Sequence, residues 1–323
     1  MSWVPEIFRS LADPTRLRIV LLLRAMELSV GELAQVLGQS QPRVSRHVKI
    51  LIDAGLAERR KEGSWVFLSL GPPERVEPLF HLLDSWAAVE GEDPWAVADR
   101  ARLAAVKADR AAAAERYFAQ HASEWDELRS LHIAESEVEA AIARALGANE
   151  EGGRPVGRLV DIGTGTGRMI ELFGPAANSA LGIDRSPEML RLARVKLTEA
   201  GIPATELRQG DMYALPLPSE SADTVIIHQV LHYAQQPAAA IAEATRLLAP
   251  GGRLLIIDFA PHEREELRIR DAHARLGFAD EAVLKWMSAT GLKGRVVEHL
   301  RGGELTVTIW EGELSEARLK VVA

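Results

Sequence analysis

The residues best placed to do chemistry lie in the second half of the sequence. Residues 159–167 read Leu-Val-Asp-Ile-Gly-Thr-Gly-Thr-Gly, an apolar run that meets a carboxylate, Asp161, and then glycines at 163, 165 and 167. Glycines so spaced let a backbone turn sharply and come close to a ligand. The order is not that of a dinucleotide-binding loop, which needs a glycine where Arg168 stands. A second apolar run ends at Asp184, 21 residues beyond Gly163, where a carboxylate can accept from both hydroxyls of a ribose. A third leads to Gly210-Asp211-Met212, where a carboxylate can take the amino group of an adenine. After a fourth come His228, His232 and Tyr233, all able to take a proton from a hydroxyl or an amine. His228 and His232 also stand at the i, i+4 spacing of a metal pair. No third ligand follows at a telling distance, so no metal is expected.

These residues need a sheet to present them. Strands are expected at 158–162, 179–183, 204–208, 223–227 and 253–259, with helical stretches between them, including 135–146 before the first and 281–290 after the last. That alternation predicts a doubly wound parallel sheet. Two alternating runs, Arg295–Arg301 and Glu304–Trp310, join at Gly302-Gly303 and predict a closing antiparallel hairpin. As a set, these residues resemble a Rossmann-like class I methyltransferase domain over about 116–311, close to the group that methylates quinones and other small molecules. The resemblance implies S-adenosylmethionine or its product S-adenosylhomocysteine as ligand. It places Asp161, Gly163 and Gly165 at the methionine part, Asp184 at the ribose, and Asp211 with Met212 at the adenine. It extends the set to Thr164, Arg185 and His228, and to Tyr117, in Glu-Arg-Tyr-Phe-Ala-Gln-His, as part of a covering lid. For methyl transfer the base candidates remain His228, His232 and Tyr233, with no choice among them.

The first third carries another chemistry. Residues 1–90 hold 11 basic and 11 acidic side chains, but 41–61 hold six basic ones against Asp53 and Glu58. A positive face on a neutral domain is what phosphate contact requires. Asp13 and Pro14 open a helix through Ala25, Ser29 caps a short helix to Leu37, and Ser40 caps another that ends near Gly55. Residues 56–70 then alternate as a hairpin with Gly63-Ser64 at its tip. This predicts an α+β winged helix-turn-helix. Gln41, Arg43, Ser45, Arg46 and Lys49 would face the major groove, and Arg59, Arg60 and Lys61 on the hairpin would face phosphates. Val44, Val48, Leu51 and Ile52 would be the buried side of the recognition helix. Residues 6–70 resemble the ArsR/SmtB-type repressors. That implies an operator duplex as partner and a homodimer built on the first and last helices, where Val4–Leu11 and Val76–Trp86 form apolar stripes. Metal sensing is not expected, since the sequence has no cysteine and residues 74–90 offer a single histidine, His81, with acids such as Asp84 and Glu90.

The absence of cysteine also removes disulfides and thiolate nucleophiles. No run of 18 apolar residues suggests a membrane span, and arginines interrupt the early apolar stretch, so a cytoplasmic location is expected. The domains are expected at 1–92, for the winged head and dimerisation, and 116–323, for the methyltransferase-type domain, with an Ala- and charge-rich helical connector at 93–115. The reading that follows is a transcriptional regulator, a repressor, whose second domain binds S-adenosylmethionine or S-adenosylhomocysteine as effector. Similar fusions look like regulators of the methionine cycle. The alternative is an active small-molecule methyltransferase with a DNA-binding head. A nucleic-acid methyltransferase is disfavoured, because His228-Gln229-Val230 replaces the proline-rich motif those enzymes show.

Overall fold

A computed structural model describes residues 3–62, 65–90, 93–121, 135–147, 154–202, 206–301 and 304–315. The chain divides into two compact units, residues 1–113 and 114–323.

In the first unit, α1 (Trp3–Leu11), α2 (Pro14–Ala25), α3 (Val30–Leu37) and α4 (Gln41–Asp53) precede a hairpin of β2 (Ala57–Glu62) and β3 (Trp65–Leu70). A short strand β1 (Leu28–Ser29) pairs antiparallel with the other side of β3. The helix starts are chemically specified. The Asp13 carboxylate accepts from the Arg16 N–H, and Ser29 and Glu32 form a reciprocal capping box. Ser40 occupies the cap position of α4, but its side chain makes no capping bond. Val44, Val48 and Leu51 of α4 are buried against α2 and α3, as their spacing predicts, and Ile52 is half-buried. Then come α5 (Pro73–Glu90) and α6 (Pro94–His121), and the division between the units falls inside α6. Leu103 and Val106 of α6 are buried in the core of the first unit, and Arg18 of α2 grips Asp99 with two bonds of 2.7 and 2.6 Å.

The second unit is built on a seven-stranded sheet. Its elements are α7 (Glu135–Leu146), β4 (Arg158–Ile162), α8 (Arg168–Phe173), β5 (Ser179–Asp184), α9 (Pro187–Glu199), β6 (Glu206–Gln209), β7 (Ala222–His228), α10 (Pro237–Leu247), β8 (Leu248–Phe259), α11 (Glu266–Arg270), α12 (Asp280–Ala289), β9 (Leu292–Leu300) and β10 (Val307–Leu314). The sheet order is β6-β5-β4-β7-β8-β10-β9. Strands β4 to β8 pair in parallel, and β10 is antiparallel to both neighbours. Successive residues of each inner strand face opposite sides, so Leu254 and Ile256 enter one core layer and Leu255 and Ile257 the other. Such a Rossmann-like sheet opens a crevice at the carboxyl ends of its strands where the order reverses, here between β4 and β7.

The closing hairpin is present, but β10 inserts between β8 and β9 rather than extending the edge. Its strands are shifted from the predicted limits, to Leu292–Leu300 and Val307–Leu314. Gly294 and Gly312, outside the predicted limits, pair across β9 and β10. A Cβ at either would lie within 3.0–3.2 Å of the Met287 sulfur, so the two glycines let α12 pack closely on the sheet.

Candidate functional site

The glycine turn joins β4 to α8 at the switch point. Gly163, Gly165 and Gly167 all have positive φ, at 73°, 54° and 88°. At Gly163 a side chain is excluded twice over, because an added Cβ would also stand 2.6 Å from Val230 Cγ2. The turn is tied to the next strand, as the N–H groups of Gly163 and Thr164 donate to the Ile183 carbonyl at 2.8 and 2.9 Å. The Gly165 N–H donates to Asp184 Oδ2 at 2.8 Å, and the Ser186 N–H donates to Oδ1 at 2.8 Å. Desolvation raises the pKa of Asp184, opposed by the N–H groups of Ser186, Gly165 and Arg185. The Gly165 and Ser186 bonds fall on different carboxylate oxygens, and lone-pair capacity remains for a diol.

The other expected binding residues line the same strand ends. Asp161 is buried in β4, opposite Gly182 of β5 and Ile226 of β7. Asp211 is exposed in the loop after β6, where Gly210 donates to the Asp184 carbonyl at 3.0 Å, and Met212 beside it is half-buried. His228 ends β7 and is buried. Thr164 is buried with its hydroxyl against Gly182, and Arg185 is exposed. Tyr117 falls on α6, with its side chain outside the described residues. The structure therefore brings together the turn, Asp184 and the Asp211 loop. A turn that excludes side chains beside a carboxylate with spare acceptor capacity fits the sugar of a nucleoside ligand.

Three features were missed in the sequence. Tyr213 accepts from the N–H groups of Gln235 and Gln236 at 2.8 and 3.2 Å, pinning the segment after β7 to the segment after β6. Burial raises its phenol pKa. Gln229 is buried with φ at 49°, a left-handed conformation uncommon for a residue with a Cβ. Nothing local in the sequence marks either. Asp258 is the third: it lies wholly buried near the end of β8 and binds His232 Nδ1 at 2.8 Å. An acid closing an apolar strand, as at Asp184, was the available signal.

In the first unit, Gln41, Arg43, Ser45, Arg46 and Lys49 are all exposed on the side of α4 opposite its buried residues, and Arg59 is exposed on β2. None of these four cations forms an ion pair among the described residues, so their charge is free to meet phosphates. Arg60 and Lys61 belong to β2, with side chains outside the described residues. On α5, both Asp84 oxygens are taken by Arg24 at 2.6 and 2.8 Å. Among the described residues no group of His, Asp and Glu could hold a metal ion, and no helix is long and apolar enough to cross a membrane.

Comparison with known proteins divides along the same line. Residues 13–59 match the family described as bacterial regulatory protein, arsR family, and residues 160–256 match the one described as methyltransferase domain. The arsenical resistance operon repressor of Escherichia coli K12 is 42% identical over 91 residues, 28% of this chain and 70% of that protein. Phosphatidylethanolamine N-methyltransferase of Cereibacter sphaeroides is 34% identical over 134 residues, 41% of this chain and 64% of that protein. An uncharacterized methyltransferase of Bacillus subtilis, YcgJ, is 31% identical over 42% of its length. The chain thus spans less than two thirds of these methyltransferases. The crystal structure of YcgJ aligns with 55% of this chain and 99% of that one, with a TM-score of 0.48 and 19% identity.

Proposed function

This chain belongs to the arsR family of bacterial regulatory proteins and carries a methyltransferase domain behind its winged head, and from that premise we propose that it is a homodimeric DNA-binding repressor whose second domain binds S-adenosylmethionine or S-adenosylhomocysteine as effector. The observation that carries the reading is the Asp184 carboxylate held to the glycine turn through Gly165, in the same chain as an exposed cationic face on α4 that forms no ion pair among the described residues. Asp184 would take the ribose, Asp211 and Met212 the adenine, and Asp161 with the turn the amino-acid part. Gln41, Arg43, Ser45, Arg46 and Lys49 would read the groove, with Arg59 on a flanking phosphate.

Helix α6 is the route of coupling in this reading. Its first half belongs to the head through Asp99, Leu103 and Val106, and its last residues belong to the ligand-binding unit. A useful switch needs the ligand to favour one state by about 1–3 kcal/mol. The dimer would form on α1 and α5, where Trp3, Val4, Phe8 and Trp86 are exposed apolar side chains. The genes under control would be those of the methionine cycle, whose methyl donor and product are the ligands named.

The test is fluorescence anisotropy of a labelled duplex from the gene's own upstream region, with each ligand titrated separately at fixed salt. One ligand should shift DNA affinity severalfold, and Asp184→Ala should abolish the shift while leaving ligand-free DNA binding intact. Two ligands that bind without changing DNA affinity would overturn the effector role.

A further inference from the structure

The carboxyl ends of β7 and β8 carry a constellation that ligand holding does not use. His232, in the short turn Leu231–Tyr233, sets Nδ1 2.8 Å from Asp258 Oδ1, and its backbone N–H donates to Oδ2 at 3.1 Å. The Phe259 N–H donates to Oδ1 at 2.7 Å. A carboxylate taking N–H bonds on both oxygens is an acceptor, so the imidazole donates from Nδ1 and Nε2 keeps its lone pair. That Nε2 is buried and has no hydrogen-bond partner among the described residues. Leaving such a group unmade costs free energy, and a buried polar atom without a partner in a native fold calls for an explanation.

The surroundings supply one. The rings of Tyr233, His273 and Phe259 lie 4.1, 4.2 and 5.0 Å from the His232 ring, centre to centre. The segment between β8 and α12 roofs the histidine. The N–H groups of Ala274 and Arg275 donate to the His232 carbonyl at 3.0 and 2.9 Å, and the Arg275 guanidinium donates to the Gln235 carbonyl at 2.9 Å. In this roof Ala272 has φ at 56°, a strained conformation for a residue with a Cβ. Val230, two residues before His232, is the side chain packed against Gly163. The segment that carries His232 thus reaches the glycine turn through Val230.

We propose that His232 and Asp258 form the proton-accepting end of a methyl-acceptor site, and that the acceptor is a phenolic hydroxyl. The proposal rests on the ligand reading above, in which S-adenosylmethionine would supply an electrophilic methyl group. A phenolic proton, with a pKa of about 10, is within reach of an imidazole, and the aromatic cluster of Tyr233, Phe259 and His273 packed around His232 suits a flat ring that enters when the roof opens. The phenolic oxygen bonds to the methyl carbon as the carbon–sulfur bond breaks, with that bond's electron pair staying on sulfur. The phenolic proton passes to His232 Nε2, and the imidazolium is held against the Asp258 carboxylate. The proton leaves to solvent when the roof at 262–276 opens, which is also the way in for the acceptor.

The experiment uses the full chain with methyl-labelled S-adenosylmethionine and a series of phenols of falling acidity, from 4-nitrophenol to 4-methoxyphenol. Labelled methyl ethers are expected. His232→Gln and Asp258→Asn should each slow transfer to 4-methoxyphenol by about 10²-fold or more. The loss should shrink toward 4-nitrophenol, which is already largely ionised, a trend a merely structural role would not produce. Nitrogen NMR of the wild-type imidazole should show the proton on Nδ1, and Asp258→Asn should disturb that tautomer. Donor binding, read by calorimetry, should survive in both variants. A wild-type protein that binds the donor but methylates no phenol overturns the proposal, as does a proton found on Nε2. Failure to bind the donor at all would instead overturn the ligand reading beneath it.

Discussion

At Gly163 three demands meet: a positive φ, a Cβ excluded by Val230, and an N–H owed to the Ile183 carbonyl. Gly163→Ala should therefore cost about 1–3 kcal/mol of stability and abolish ligand binding, checked by urea unfolding and calorimetry. An unchanged ligand affinity would show that the turn does not approach the ligand. Charged residues give a second prediction. Hydrogen bonds from Arg158 and Arg246 hold the carboxyls of Asp223 and Glu243 below their ordinary pKa values. A folded pKa below the unfolded one means that the contribution is complete above the ordinary carboxylate range. It is lost as pH falls through the folded value. Stability should thus fall on the acid side of about pH 4, and Asp223→Asn with Glu243→Gln should flatten that limb in urea midpoints measured from about pH 6 to about pH 3. Asp184 works the other way, because its raised pKa takes stability away as pH rises past the ordinary value.

Among elements, the two helices of the helix-turn-helix begin differently. Ser29 closes a full capping box on α3, whereas Ser40 leads α4 without a side-chain bond. Ser29→Ala should cost about 1 kcal/mol and Ser40→Ala close to nothing, by thermal or urea unfolding of the full chain. Equal costs would mean that α4 is capped in solution after all. Both serines hold the cap position, and the third helical residue separates them: Glu32 returns a bond to Ser29, where α4 has Arg43. In the closing hairpin, Gly294 and Gly312 lie outside the expected runs, yet they are paired strand residues whose missing side chains make room for Met287. The inner strands β4 and β7 lie within a residue of their expected limits, because two-sided burial leaves an unbroken apolar run that is easy to read.

At the scale of the whole molecule, the head leaves large apolar side chains exposed. Phe8 is 51% exposed and Trp86 is 54% exposed, while Ile7, Leu79 and Phe80 beside them are buried. The stripes on α1 and α5 are thus split between the core of one chain and a surface without a partner in it. Phe8→Glu with Trp86→Glu should convert a dimer to a folded monomer in sedimentation equilibrium and weaken operator binding, since two half-sites would no longer be engaged together. A dimer that survives the pair would place the interface elsewhere.

The sequence by itself determined the two-part organisation, the winged head with its basic helix, and the glycine turn with Asp184. Each is a local pattern: a period, a cap, a turn residue, a strand ending in an acid. It also named His232 as one of three bases and left the choice open. The proposal for His232 rests on what only the tertiary structure decided: Asp258, 26 residues further along the chain, meets its Nδ1, and Ala274 and Arg275 bond to its carbonyl. Contacts between distant strand ends depend on which strands lie side by side, and no spacing along the chain encodes that.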